Sequence, residues 1–416
     1  MVLGVGVVIA HRVGVNLERD GWIIHLRMAP FYGRRWAPID AGWLIAFLFG
    51  CALVPIVIAV ARRVAFVAMA WASAAVHAAW VLGLAMMHSP TEIGRPMAHR
   101  HGYLPVVDQI DGPGEFVRDF LTNAPSYPIH VRGHPPLFPL ALWGLDRVGL
   151  GGATSAGVVV AVVAASGVAA VILSLRRVLD ETWARRAAPF LALAAFAPLV
   201  ASTADAAFAG VSAWAVYAVV VASTSLHRRS RVVGSAISGV LVGTAMLLTY
   251  GAGVVALAVG VIALFYRRVD VAAITASVTI ALLGLAGLVG FSYIEGLRYV
   301  REEYHAGVAN TRPYLPFVLI NVVVFAVMVG PAAVAGLAHA VRTRAAILRV
   351  ASIGLGMALV ALLSGMSKGE VERIWLPFAI WTVVAAAAFV RRPHVVAALV
   401  AQIATAVAFQ FIVKSW

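Results

Sequence analysis

The stretch AGWLIAFLFGCALVPIVIAVARR (41–63) decides the fold of this chain. Its first 21 residues carry no charge, and an apolar helix of that length crosses the hydrocarbon core of a bilayer. The stretch then ends on paired arginines, Arg62 and Arg63. About twelve runs of this kind recur along the chain: 41–61, 64–87, 152–174, 187–202, 206–225, 232–249, 251–266, 271–291, 317–340, 346–365, 374–390 and 395–413. Two of them are short enough to be broken or partly spanning.

The composition agrees with a membrane protein. Of the 416 residues, 62% are hydrophobic and only 12% are charged, and the mean hydropathy of +0.93 lies outside the range of soluble domains. We therefore predict an all-α fold, a polytopic transmembrane helical bundle of about 11–13 spans. The single cysteine, Cys51, excludes an internal disulfide.

The net charge of +14 is explained by topology. Sixteen of the 32 basic residues and only three acids fall in every second connection, mostly as arginine pairs. The positive-inside rule assigns those connections to the cytoplasm, so the charge does not indicate a nucleic acid partner. The alternate connections hold twelve of the eighteen acids and face outward. The pattern predicts a multi-pass membrane protein whose site lies on the extracytoplasmic face, and the bias of the composition towards Ala, Val, Gly and Arg favours a bacterial plasma membrane.

The predicted organisation is a tail followed by one domain. Residues 1–40 form an N-terminal tail of uncertain topology, because their five arginines oppose the outward side that helix counting gives them. Residues 41–416 form a single transmembrane domain. Its outward connections include three conspicuous loops, at about 88–151, 292–316 and 364–373, which we expect to form one site.

Two short interfacial helices are predicted in the first loop. In EFVRDFLTN (115–123) the aromatic residues have helical spacing, and PPLFPLALWGLDRVG (135–149) begins with prolines that suit a first helical turn. The polar residues His130, Arg132 and His134 then lie just ahead of a helix N-terminus, which favours an anion.

The same loop offers a carboxylate for acid-base chemistry. Asp108, Asp111 and Glu115 lie close together in DQIDGPGEFVRD, and a carboxylate in hydrogen-bond reach of an acceptor hydroxyl acts as a general base. The alternative is a solvated loop whose acids offset Arg118 and Arg132.

Charged residues at two further places are candidates for substrate binding. Asp205 interrupts an apolar region, where an acid is costly, although it also suits a helix cap beside Ser202 and Thr203. Arginines occur in the segment KGEVERIWLPF (368–378) and, as Arg312, in the second loop, and an arginine side chain can bind a phosphate through two hydrogen bonds. The alternatives are that these charged residues pair with one another or anchor the chain at the membrane interface. The candidates here are Arg312, Lys368, Glu370, Glu372 and Arg373. The absence of HExxH and of cysteine ligands does not favour a zinc site.

The segment GHPPLFPLALWGLDRVG (133–149) resembles the [HK]PPL-type segment of the GT-C membrane glycosyltransferases. The branch it resembles contains the protein O-mannosyltransferases and the lipid A aminoarabinose transferases. The YLP at 103–105 followed by Asp111 also resembles uncharacterised actinobacterial integral membrane proteins. The chain departs from the pattern where the usual acidic pair is spread over Asp108, Asp111 and Glu115, and where Tyr250 stands in place of a lysine.

The resemblance implies an inverting transfer of a mannose- or arabinose-like sugar from a polyprenyl-phosphate carrier to a glycan, lipid or protein acceptor in the cell envelope. It implies Asp111 or Asp108 as general base, no cofactor beyond the lipid-linked donor, and leaves a divalent metal open. It implies that the donor phosphate and the rest of the substrate are bound by His130, Arg132, His134, Glu115, Asp205, Lys368, Glu370, Glu372, Arg373 and Arg312. The main alternative is a transporter or flippase of a lipid-linked or anionic substrate, followed by an acyltransferase with a histidine base or an envelope scaffold.

Overall fold

The computed structural model describes residues 2–26, 28–32, 34–35, 41–87, 92–201 and 203–414. Part of the predicted tail, at 36–40, and the predicted capping residue Ser202 lie outside the described residues. The helices are α1 (Val2–Arg19), α2 (Ala41–Arg63), α3 (Phe66–Met86), α4 (Arg95–Ala98), α5 (Leu104–Val107), α6 (Pro113–Arg118), α7 (Phe120–Asn123), α8 (Ile129–Arg132), α9 (Leu137–Arg147), α10 (Ala153–Val178), α11 (Glu181–Ala192), α12 (Ala197–Val200), α13 (Asp205–Thr224), α14 (Arg228–Leu248), α15 (Gly253–Phe265), α16 (Val269–Val289), α17 (Tyr293–Ala306), α18 (Val308–Thr311), α19 (Tyr314–Thr343), α20 (Leu348–Leu363), α21 (Val371–Ile374), α22 (Leu376–Thr382) and α23 (Arg392–Ile412).

The predicted all-α polytopic fold is confirmed. Within the described residues, eight helices are long and apolar enough to cross a membrane: α2, α3, α10, α13, α14, α16, α19 and α23. Three shorter apolar stretches, Tyr250–Phe265, Leu348–Leu363 and Leu376–Ala388, lie between them. The apolar run at 187–202 is broken in the structure, because α11 ends at Ala192 and α12 begins at Ala197.

Small residues allow the membrane helices to pack closely. In α13, a Cβ on Gly210 would lie 2.2 Å from the Val163 carbonyl oxygen of α10, so only glycine fits there. Between α14 and α16, the Thr275 and Thr279 hydroxyls donate to the Ser235 and Gly239 carbonyls at 3.2 and 3.1 Å. Close backbone approach and interhelical hydrogen bonds are the usual means of helix association in lipid, where burial of apolar surface supplies little driving force.

The ends of the helices form two faces of different character. On one face, which we call the arginine face, Arg185 donates to the carbonyls of Ala61 and Val64 at 2.8 and 3.0 Å, and Arg231 pairs with Asp270 at 3.0 Å. The opposite face, which we call the loop face, carries the connections at 92–152, 290–313 and 364–370.

The N-terminal segment lies on the loop face. The backbone carbonyl of Ile24 accepts a hydrogen bond from Arg312 Nε at 2.8 Å, and the Tyr32 N–H donates to Glu372 at the same distance. A two-residue strand β1 (Arg34–Arg35) pairs with β2 (Val413–Lys414), which follows α23. The described part of the predicted tail is thus fastened to the same face as the long loops.

The first loop folds largely as short helices. The segment 135–149 forms α9 after Pro136, as its prolines predict. The segment predicted as one helix at 115–123 is instead α6 and α7, separated at Asp119, so the prediction of a continuous helix was wrong. His130, Arg132 and His134 precede α9, as predicted, and His130 and Arg132 themselves lie in the single turn α8.

Candidate functional site

Charged and polar side chains from widely separated parts of the chain meet on the loop face. They come from the first loop, the start of α13, the region before α19 and the segment before α21. We call them the loop-face cluster. Its members are Tyr103, His134, Asp205, Arg312, Lys368, Glu370, Glu372 and Arg373.

Asp205 is the buried centre of the loop-face cluster. It is the first residue of α13, and its carboxylate has only 7% of its surface exposed. One oxygen, Oδ2, accepts from the Thr203 hydroxyl at 2.8 Å and from Arg373 at 2.9 Å. The Asp205 N–H donates to the Thr203 hydroxyl at 3.2 Å. The sequence suggested Thr203 as a helix cap. In the structure its hydroxyl orients the carboxylate of Asp205.

Charges alternate in sign along a chain that starts at Asp205. Arg373 donates with its second terminal nitrogen to Glu370 at 2.7 Å, and the other oxygen of Glu370 lies 3.9 Å from Arg312. Glu370 adopts a left-handed backbone with φ of 59°, which is unfavourable for a residue with a side chain. The turn therefore holds Glu370 in a strained conformation that places it between the two arginines.

Arg312 and Lys368 are bound by the protein backbone. Lys368 Nζ donates to the carbonyls of Ala309 and Arg312 at 2.9 Å each, and the Lys368 N–H donates to the Tyr304 hydroxyl at 2.7 Å. Arg312 donates to the carbonyls of Ile24 and Lys368. The turn that contains Lys368 and Gly369 is also bound by Asn321, whose Oδ1 accepts a hydrogen bond from the Gly369 N–H at 3.0 Å. These contacts hold both cations against the turn, although Arg312 Nη2 is buried without a hydrogen-bond partner among the described residues.

His134 faces the open oxygen of Asp205. Its Nδ1 lies 2.8 Å from the His130 carbonyl, and because a carbonyl only accepts, that nitrogen carries the proton. Nε2 is then the basic nitrogen, and it lies 4.0 Å from Asp205 Oδ1, beyond hydrogen-bond distance. Burial lowers the pKa of His134, so the ring is neutral at neutral pH and the contact with Asp205 is not an ion pair.

Glu372 is a second buried acid, with 3% of its surface exposed. It accepts from the Tyr32 N–H through Oε1, while Oε2 has no hydrogen-bond partner among the described residues. Burial raises the pKa of Glu372 to about 7, against the opposing effect of the Tyr32 hydrogen bond. The predicted site segment 368–373 therefore carries two carboxylates in different surroundings. Glu370 lies beside two arginines, whereas Glu372 is buried and has a pKa of about 7.

The first-loop acids lie outside these contacts. Asp108, Asp111 and Glu115 are exposed, and none of them forms a hydrogen bond or ion pair through its side chain within the described part of the chain. The backbone next to Asp111 is fixed, because the Ile110 carbonyl accepts from the Trp143 indole of α9 at 3.0 Å. Among the described residues, no hydrogen bond or ion pair joins these acids to the predicted binding residues His134, Asp205, Lys368 and Arg373.

Two further predicted binding residues have other partners. The His130 ring stacks on Tyr103, with 6.2 Å between ring centroids, and burial lowers its pKa well below the ordinary value. Arg132 is partly exposed and lies 3.3 Å from Glu303 of α17.

The sequence reading assigned no role to two tyrosines in this region. The Tyr103 hydroxyl lies 3.2 Å from His134 Nδ1, and the Tyr304 hydroxyl accepts from Lys368. Tyr103 belongs to the YLP segment at 103–105, which the resemblance had marked, so the sequence did contain an indication of its role. Tyr304, in contrast, lies in a polar stretch that resembles any solvated helix.

No family model, no curated protein and no solved structure matches this chain. Among the described residues, no group of three or more histidine, cysteine, aspartate or glutamate side chains is placed to hold a metal ion. The fold and the cluster together define the class as a polytopic α-helical membrane protein with a buried charge network on one face.

Proposed function

We propose that the chain is a membrane glycosyltransferase that moves a mannose- or arabinose-like sugar from a polyprenyl-phosphate carrier to an acceptor in the cell envelope. The observation that carries the proposal is the geometry of Asp205. Its Oδ2 is held by Thr203 and Arg373, while its Oδ1 faces the basic nitrogen of His134 at 4.0 Å. A buried acid beside the hydrocarbon is costly and by default functional.

The resemblance assigns the aspartate base to Asp111 or Asp108. We instead propose that Asp205 is the base. In an inverting transfer, Oδ1 takes the proton of the acceptor hydroxyl as the acceptor oxygen bonds to the anomeric carbon. The bond from that carbon to the phosphate oxygen breaks, and polyprenyl phosphate leaves with the electron pair. Arg373 keeps Asp205 ionised and oriented, and burial keeps competing water away from the reacting atoms.

The leaving phosphate needs positive charge that the protein has not already used. Arg373 is held by two carboxylates and Lys368 by two carbonyls. Arg132 has looser contacts, 3.3 Å to Glu303 and 3.4 Å to the Pro125 carbonyl, and lies two residues before His134. We assign the phosphate to Arg132, because a cation with weak internal contacts is free to meet a developing charge.

The setting of the reaction follows from the charge distribution. Arginine pairs on one face favour a cytoplasmic location for that face, and this supports our proposal that the loop-face cluster lies outside. The partners in this proposal are the lipid-linked donor, membrane lipids and a glycan, lipid or protein acceptor, in a bacterial plasma membrane. No nucleic acid and no cofactor is part of it.

The test is turnover with labelled donors. Purified protein in nanodiscs is incubated with labelled polyprenyl-phosphate mannose and arabinose and an envelope extract as acceptor, and release of polyprenyl phosphate is measured. Asp205→Asn is expected to lower turnover by roughly 100- to 10,000-fold. Asp111→Asn is the matched control, because it makes the same chemical change at an exposed acid, and is expected to retain activity.

Two outcomes contradict the proposal. Full turnover by an Asp205→Asn variant that elutes as a single folded species moves the base to Asp111 or Asp108. An absence of turnover with every donor, in protein that is folded and monodisperse, argues against glycosyl transfer.

A second candidate, a transporter or flippase, is favoured by breaks in the helices deep in the bundle. Helix α19 is interrupted at Gly330, where φ is 83°, and Gln402 bonds the freed groups of Val329 and Ala332 at 3.1 and 3.3 Å. A Cβ on Gly330 would lie 2.8 Å from the Ala195 side chain, which belongs to the break between α11 and α12. Transporters build their sites from such broken helices. Movement of a fluorescent polyprenyl-phosphate sugar across protein-containing vesicles, without its hydrolysis or transfer, would favour this alternative.

A further inference from the structure

The outer side of helix α1 changes in character along its length. Val5 and Val8, in its N-terminal half, are exposed and apolar, whereas Arg12, Asn16 and Arg19 further along are exposed and polar. Successive members of this set are three or four positions apart, so all five lie on one side of the helix. We call the part of this side formed by Arg12, Asn16 and Arg19 the α1 surface.

The opposite side of α1 packs against α19, and the two helices run in opposite directions. Near the start of α1, a Cβ on Gly6 would lie 3.5 Å from the side chain of Val323 in α19. Beyond the end of α1, the Ile24 carbonyl accepts a hydrogen bond from Arg312, which lies just before α19. The C-terminal end of α1 therefore reaches the loop face, and its N-terminal end lies beside the membrane-crossing part of α19.

This packing sets the depth of the two arginines. Helix α19 presents exposed apolar side chains from Leu315 onward, so the membrane boundary lies near that residue. Val323 is eight residues, or about 12 Å, further along α19. Arg12 and Arg19 are six and thirteen residues beyond Gly6, or about 9 and 20 Å back towards the loop face. The two arginines therefore lie on either side of the boundary, at the level of the lipid headgroups.

A cavity of about 350 Å³ lies at the α1 surface. Among the described residues it is lined by His11, Arg12, Val15, Asn16 and Arg19, and no acid belongs to that lining. Neither arginine forms an ion pair within the part of the chain that the structure describes, and the positions three and four residues from each carry no acid. Two like charges beside one cavity repel each other, and an anion between them would offset that repulsion.

The two acids of this segment lie away from the α1 surface. By helical spacing, Glu18 is about 100° or more around the helix from both arginines, and Asp20 follows the last helical residue. The next side chain but one, the indole of Trp22, is exposed, as is common at a membrane–water interface. The α1 surface is therefore cationic at the depth where lipids carry their phosphates.

We infer that the α1 surface binds the headgroup phosphate of an anionic phospholipid from the surrounding bilayer. The two guanidinium groups donate to the phosphate oxygens, and the Asn16 amide adds a neutral donor. The acyl chains lie along the apolar strip that begins with Val5 and Val8. In the orientation that we propose for the chain, these arginines lie on the outer side, where the positive-inside rule gives no reason for them.

A lipid bound at the α1 surface would also fix the N-terminal segment beside the candidate site. Helix α1 leads into the segment whose Ile24 carbonyl accepts from Arg312 and whose Tyr32 N–H donates to Glu372. The inference goes beyond the proposed function, because the phospholipid is not a reactant. No turnover assay enters its test, so it stands or falls separately from glycosyl transfer.

A photoreactive lipid tests the surface directly. Full-length protein is placed in phosphatidylcholine nanodiscs that contain a photoreactive phosphatidylglycerol at increasing mole fraction, and the lipid attached to peptides of α1 is quantified by mass spectrometry after illumination. In the Arg12→Gln/Arg19→Gln variant, half-saturation of this labelling is expected at an about 30-fold higher mole fraction. The Arg12→Lys/Arg19→Lys variant keeps both charges and is expected to label nearly as the unmodified protein does.

The matched control is Arg228→Gln/Arg229→Gln, which removes two exposed arginines from the arginine face and is expected to leave the labelling of α1 unchanged. Four results would overturn the inference. Unchanged labelling of the Arg12→Gln/Arg19→Gln variant, or an equal loss in the control, would remove the α1 surface as the site. Stronger competition by polyprenyl phosphate than by unlabelled phosphatidylglycerol would make a lipid-linked carrier the occupant. Displacement by millimolar inorganic phosphate would mean that the surface binds phosphate without a lipid.

Discussion

The two faces of the bundle hold ion pairs of nearly equal length in very different surroundings. On the loop face, Arg373 lies 2.9 Å from Asp205, and the two side chains are 13% and 7% exposed. On the arginine face, Arg231 lies 3.0 Å from Asp270, and the corresponding values are 20% and 48%. The N–O distances alone would predict the same strength for both ion pairs. Their contributions to stability therefore differ through burial.

Because their burial differs, only one of the two pairs needs a functional explanation. An exposed pair contributes roughly 0–1 kcal/mol and is common on any surface. A buried pair gains little net stability over apolar side chains of the same volume, yet removing one partner is strongly destabilising. Asp205 and Arg373 therefore make the fold vulnerable without making it more stable, which is the usual cost of a site.

The largest expected effect follows from breaking the buried pair. Arg373→Gln leaves the buried carboxylate of Asp205 and the partly buried carboxylate of Glu370 without their shared cation. We expect the free energy of unfolding to fall by about 3–5 kcal/mol, measured by denaturant unfolding in detergent micelles. The double variant Asp205→Asn/Arg373→Gln should recover part of that loss, because the lone charge is removed. A loss no larger than that of Arg231→Gln would contradict the distinction between the faces.

A smaller effect is expected from the titration of Glu372. Its pKa is raised to about 7 in the folded protein, so the folded state holds the proton more tightly than the unfolded state. Stability is therefore greatest at pH values below the unfolded pKa of about 4.5 and falls as the pH rises towards 7. The expected loss across this range is at most about 3 kcal/mol.

The control for this titration is Glu372→Gln. The amide cannot ionise but still accepts the hydrogen bond of the Tyr32 N–H, so the decline in stability between pH 4.5 and 7 should largely disappear. Unfolding midpoints measured across that range check the prediction. An unchanged decline in the variant would assign the pH dependence to another group.

The membrane architecture could be predicted from the sequence because its signals are local. An apolar run such as 41–61 identifies a span by its length, and the arginine pair that follows it identifies a face. The break between α11 and α12 was less predictable, because Ala192 to Ala197 remain apolar and only their packing interrupts the helix.

The candidate site was only partly predictable, because its contacts are not local. The sequence singled out Asp205, Arg312 and Arg373 as separate candidates, but Asp205 and Arg373 are 168 residues apart and only folding pairs them. The first-loop acids illustrate the opposite problem. Phe116 and Phe120 turn the apolar side of their segment inward, as their helical spacing indicates, and this leaves Glu115 exposed, as in the alternative of a solvated loop.

The smallest expected effect comes from the exposed pair on the arginine face. Arg231→Gln removes the contact with Asp270, and we expect a loss of less than about 1 kcal/mol of unfolding free energy, because water solvates both groups once they separate. The loss should shrink further in 0.5 M salt, since screening weakens exposed pairs far more than buried ones. Arg373→Gln, measured beside it, should keep most of its effect at the same salt concentration. If the two variants showed the same salt dependence, the loop-face pair would be solvated like its counterpart, and burial could no longer be the reason to treat Asp205 as the centre of the site.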